Sequence, residues 1–87
     1  MSLSHATFRQ LRALAATIRS GTVTAAAQEL NVTPPAISLQ LKQLEQSAGL
    51  QLLERVEGRM RATEAGRVLA ETVERIEALL VEAADAI

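Results

Sequence analysis

The sequence predicts a mainly α fold: three short helices, a two-stranded hairpin, then one long helix. Three observations predict it. Apolar residues recur at helical spacing in four stretches, each preceded by a threonine able to cap it. One stretch, "LQLLERVEGRMRA", reads instead as two strands about a Glu57-Gly58 turn. The last stretch repeats at 3.5 residues, the period of a helix-to-helix seam.

The first helix begins at Thr7, with Gln10 three residues on, the spacing of a capping box. Phe8, Leu11, Leu14, Ala15 and Ile18 make its apolar face, and Gly21 ends it. The second helix covers about residues 23–30 behind Thr22, with Ala26, Ala27 and Leu30 on one side. Its alanines let a neighbouring helix come close. Asn31 and Val32 make the turn, since Asn tolerates positive φ.

Thr33 caps the third helix, which opens on two prolines. Pro34 and Pro35 fall where amides have no intrahelical acceptor, so their missing N–H groups cost little and their fixed φ is already helical. The helix runs to about Gln46 or Ser47, with "SAGL" as its exit. In the hairpin, Leu53 and Met60 face inward and the arginines stay outside. Thr63 caps the last helix, with Glu64 at the positive end of its dipole. Leu69, Val73, Ile76, Leu80, Ala83 and Ile87 then form the helix-to-helix seam, and the pattern runs to the last residue without a terminator.

The order is that of a winged helix-turn-helix followed by a long helix, a linker in the resemblance drawn below. Residues 1–62 would be the winged domain and residues 63–87 the linker. The 87 residues make one domain, a size that buries only about 60% of the unfolded surface, so a partner subunit would help. Without cysteine there is no disulfide and no thiolate metal site, and a single histidine, His5, excludes a multi-histidine cluster. The start carries no secretory signal, and no apolar run is long enough to span a membrane. The expected location is cytoplasmic.

The net charge of −1 conceals an asymmetry. Residues 1–62 hold seven basic and four acidic residues, a balance of +3. Residues 63–87 hold two basic and six acidic residues, a balance of −4. The first part can meet phosphate while the second stays clear of it.

On the third helix Ile37, Leu41, Leu44 and Ala48 share one side, while Pro35, Ser38, Leu39, Lys42 and Gln46 lie opposite. Leu39 is nearly at the far pole from Ile37. It is either a plain half-exposed leucine or an outward contact, for which the thymine methyl in the major groove is the fitting apolar partner. Ser38 can donate to or accept from base edges, and Lys42 can neutralise a phosphate. Thr33, Pro34 and Pro35 lie at the helix N-terminus, whose remaining free amides and positive dipole suit phosphate. Arg55, Arg59 and Arg61 flank the wing tip; they are solvated, paired with Glu54 and Glu57, or set against phosphate or the minor groove. Thr22 and Arg9 are further candidates for backbone contacts.

With these residues in view, "TAAAQELNVTPPAIS", "QLEQSAGLQLLER" and "TEAG" make the chain resemble, over about residues 7–87, the N-terminal DNA-binding domain of LysR-type bacterial transcriptional regulators. The resemblance implies double-stranded promoter DNA as partner and a homodimer through the linker helix. It also implies a tetramer on interrupted palindromic sites, and beyond Ile87 a domain that binds a small-molecule effector. Thr33, Pro34, Pro35 and Ser38 fall at family positions that face DNA. Leu39 departs from the arginine found in many members, so a guanine contact is expected to be missing there. Within the family, "NVTPPAISLQLKQLE" and "ERVEGRMRAT" are most similar to regulators of Calvin-cycle (RuBisCO) operons.

Two other DNA-free or differently built classes compete. A winged helix can bind protein through its outer face. A small MarR- or ArsR-like repressor would build its dimer differently, which the acidic 3.5-repeat helix disfavours. No enzyme reading arises: Ser38 has no histidine near it in sequence, and the glycines lack phosphate-loop spacing.

Overall fold

The structure, a computed structural model, describes residues 2–87. Its elements run α1 (Phe8–Ser20), α2 (Val23–Leu30), α3 (Pro34–Ala48), β1 (Leu53–Val56), β2 (Arg59–Ala62) and α4 (Glu64–Ala86). A threonine hydroxyl starts each helix by accepting the backbone amide three residues on. Gln10 donates to Thr7, Ala25 to Thr22, Ala36 to Thr33 and Gly66 to Thr63. The Gln10 side chain also accepts the Thr7 amide at 3.1 Å, which completes the capping box. Gly21, Asn31 and Gly49 end the first three helices in the left-handed conformation.

α1 is the central element, in contact with α2, α3 and α4. Leu14, Ile37 and Leu44 form the middle of the core, joined by Ala13, Ala16, Ala26 and Ala27. Those alanines let three helices approach α1 at once, so α1 is buried over more of its circumference than its amphipathic stripe suggests. Phe8, expected in that stripe, is instead 39% exposed. It lies at the first turn and lines a surface cleft with Leu30, Val32, Ala36 and Gln40, with the Arg12 guanidinium 5.9 Å from its ring centre.

The wing is an antiparallel hairpin with Leu53 opposite Ala62 and Val56 opposite Arg59. Glu57 and Gly58 turn it with φ of 51° and 78°, the two positive values that a tight two-residue hairpin turn needs. Leu53 is buried, and Met60 packs at the core margin, as expected.

The long helix departs from expectation. Leu69 and Val73, read as seam positions, are buried inside their own subunit; Val73 is 0% exposed against α1, in a second cluster with Ala15 and Ala70. A stripe at 3.5-residue spacing fits any helical neighbour, and here α1 takes its first half. Ile76 is half-buried, and Leu80, Ala83 and Ile87 are exposed. Val68, Leu79 and Val81 are exposed apolar residues outside the expected seam. α4 is thus rooted in the domain up to about residue 77, and residues 78–87 stand free.

Candidate nucleic-acid interface

α3 presents the face that the helical wheel assigned to it. Pro35, Ser38, Leu39, Lys42 and Gln46 are exposed, while Ile37, Leu41, Leu44 and Ala48 are buried. Leu39 is 53% exposed, more than half of its surface open to solvent. The inner leucines hold the helix down, so the outer row is presented on a rigid element rather than a loop.

The N-terminus of α3 needs a correction. Of its expected free amides only that of Thr33 itself remains. Pro34 and Pro35 have none, the Ala36 amide goes to the Thr33 hydroxyl at 3.3 Å, and the Ile37 amide goes to the Thr33 carbonyl at 3.2 Å. What remains there is the helix dipole, the Thr33 amide and the Thr33 hydroxyl, which accepts in the cap and keeps its own proton to donate. α2 differs. Val23 and Thr24, at its first two positions, keep amides that have no intrahelical acceptor, beside the Thr22 cap. Thr22 therefore sits among several free backbone donors, whereas Thr33 has only its own amide.

Among the cations, Arg19 is engaged with Glu29: its Nε donates to the carboxylate at 3.3 Å, and a second guanidinium nitrogen reaches the other oxygen. That hydrogen bond holds the Arg19 pKa above its ordinary value. Arg12 lies 3.5 Å from Glu77 of α4, and Arg67 pairs with Glu64. Arg9, Lys42, Arg55 and Arg61 form no ion pair among the described residues and are exposed. Apart from Arg75 on α4, the unpaired arginines and lysine thus gather on α3, the wing and the start of α1.

Arg59 stands apart from its neighbours. Its guanidinium donates to the Ser20 carbonyl at 3.3 Å, across the turn between α1 and α2. Sequence reading also missed Glu45, whose carboxylate accepts the amides of Leu52 at 2.7 Å and Leu53 at 3.2 Å. Both contacts join residues far apart in the chain or across a turn, and no local pattern signals them. No group of three metal-ligating side chains occurs among the described residues, and no helix there is long and apolar enough to cross a membrane.

Comparison with known proteins agrees with this geometry. Residues 8–67 match the family described as "Bacterial regulatory helix-turn-helix protein, lysR family". The HTH-type transcriptional regulator CbbR of Xanthobacter flavus is 46% identical over 83 residues, covering 95% of this chain and 25% of that protein. The RuBisCO operon transcriptional regulator of Allochromatium vinosum is 46% identical over 63 residues, 72% of this chain and 21% of that protein. The chain thus spans about a quarter of the length of these relatives. Among solved structures, the DNA complex of the CbnR DNA-binding domain superposes with a TM-score of 0.82 at 36% identity, covering 92% of both chains. The BenM domain bound to catB site 1 DNA gives 0.86 at 26% identity, covering 92% of this chain and 89% of that one. With its winged helix-turn-helix and a match over most of its length, the chain belongs to the lysR family of bacterial regulatory helix-turn-helix proteins.

Proposed function

We propose that the chain binds duplex DNA by sequence as the DNA-reading part of a transcriptional regulator, with α3 in the major groove and the wing on the backbone or in the minor groove. The observation that carries this reading is the bare outer row of α3, Pro35, Ser38, Leu39 and Lys42, set on a helix whose other side is fully buried. Ser38 meets base edges, Leu39 packs on a thymine methyl, and Lys42 and Arg9 neutralise phosphates. Thr22, with the free amides of α2, grips the backbone, and Thr33 donates its hydroxyl proton. Arg55 and Arg61 extend the contact along the wing.

Two chains pair through the exposed end of α4, where Leu80, Ala83 and Ile87 continue the seam. In the longer protein a tetramer and an effector-binding domain beyond residue 87 complete the regulator, which acts in the cytoplasm. The likeness to CbbR and to the RuBisCO operon regulator supports carbon-fixation operons as its targets.

Selection of bound fragments from a random or genomic DNA pool tests this. The expected product is an interrupted palindrome whose half-sites carry thymine opposite Leu39, bound with an affinity that falls steeply as salt rises. A chain that retards no fragment at low salt would instead have a protein-binding outer face.

A further inference from the structure

We infer that Arg59 is a positioning residue, which pins the wing to the turn between α1 and α2 and so sets where the wing tip stands relative to α3. The inference rests on the DNA-binding reading for its consequence, though not for its geometry.

Three observations converge on the turn. The Met60 amide, which points away from β1, donates to the Gly21 carbonyl at 2.9 Å, so the turn serves β2 as a fragment of a third strand. The Arg59 guanidinium lies directly over Gly21: a Cβ there would stand 2.1 Å from its terminal nitrogen. Its bond to the Ser20 carbonyl puts a cation at the C-terminal end of α1, the negative pole of that helix. Gly21 therefore has two duties, the left-handed cap at φ 84° and the open floor for Arg59.

A lone two-stranded hairpin is marginally stable in water. This one is held at both ends. Glu45 of α3 takes the amides of Leu52 and Leu53 at its base, and the Thr63 amide closes on the Leu52 carbonyl at 3.0 Å. Arg59 and Met60 hold it near the tip. Arg55 and Arg61 make no comparable bond to the domain, so they remain free for phosphate while Arg59 is spent on orientation.

The test has two arms. In the free protein, Arg59→Ala should speed hydrogen exchange of the Met60 amide by about tenfold, the scale of one lost charge-assisted bond. Arg55→Ala should leave that amide unchanged. On DNA, Arg59→Ala should cost affinity in the native background but nothing further in a Gly21→Ala background, where the added Cβ already displaces the guanidinium. A direct phosphate contact would keep its full cost in both backgrounds. Unchanged Met60 exchange, or an undiminished Arg59→Ala cost beside Gly21→Ala, overturns the inference. Should Gly21→Ala fail to fold, the exchange arm decides alone, because Arg59 is exposed and its removal opens no cavity. Should the native chain retard no DNA at low salt, the DNA-binding reading fails while the exchange arm still decides the clamp.

Discussion

Leu39 and Lys42 lie within one helical turn of each other on the same bare face, yet physical chemistry gives them opposite signatures. An ammonium neutralises a phosphate whatever the base sequence, so Lys42→Ala should weaken binding to every duplex and lower the salt slope by about one unit. Equal salt slopes in wild type and variant would remove Lys42 from the backbone. A leucine can only offer methyl groups, and the one base edge that rewards methyl groups is thymine. Leu39→Arg should therefore redirect preference toward guanine at one position, read by a second round of selection; uniform losses on all sites would show that Leu39 faces no base. Ser38 falls between the two, since a hydroxyl that both donates and accepts discriminates weakly. The outward direction of these three side chains was legible from periodicity alone, because Ile37, Leu41 and Leu44 leave the helix no other rotation. The state of the α3 amides was legible too, in principle. Two prolines and a threonine cap account for the first three positions, which leaves the dipole and the amide and hydroxyl of Thr33 to attract an anion.

At the scale of elements, local chemistry announced itself and long-range contacts did not. All four N-caps were readable because a threonine and the amide three residues later are neighbours in sequence as well as in space. The hairpin was readable because Gly58 tolerates the positive φ that a tight turn needs, although Glu57 at 51° is an uncommon residue in that conformation. The docking of α4 was not: periodicity gives the direction of a stripe and says nothing of which neighbour covers it. That gap yields a sharp contrast. Leu80→Asp should leave the domain folded and produce monomers by sedimentation, whereas Val73→Asp should unfold it, since a carboxylate would enter a site with no exposure. A cooperative melt retained by Val73→Asp would return Val73 to the subunit interface. Gly66 marks the same docking. Alanine for glycine within a helix ordinarily stabilises by about 1 kcal/mol. Here a Cβ would meet the Leu52 carbonyl oxygen at 1.9 Å, so the first turn of α4 would have to shift. Gly66→Ala should destabilise by about 1–3 kcal/mol in denaturant unfolding, the scale of overpacking. A gain in stability would mean that α4 does not approach the wing base so closely.

The whole molecule separates its tasks along its length. Apart from Arg75 on α4, the arginines and lysine without ion pairs stand on α3, the wing and the start of α1, while the free end of α4 carries Glu82 and Asp85 and no cation after Arg75. Residues 78–87 are all exposed, so they contribute nothing to the core that α1 organises. Deleting them should leave the unfolding midpoint of the domain nearly unchanged. What they would supply is attachment to a second chain, and attachment acts through effective concentration: one bound domain holds the other near its half-site at about millimolar levels. The truncated chain should therefore bind an isolated half-site as the full chain does, within about twofold, because no DNA-facing residue has been touched. On a complete palindrome it should lose at least about a hundredfold, the modest end of what linkage gives. Gel retardation on half-site and full-site duplexes, beside a thermal melt, reads all three quantities. Equal binding of both chains to the palindrome would show that pairing comes from elsewhere in the domain. A collapsed melt would show instead that the end of α4 stabilises the fold, although no core residue lies within it.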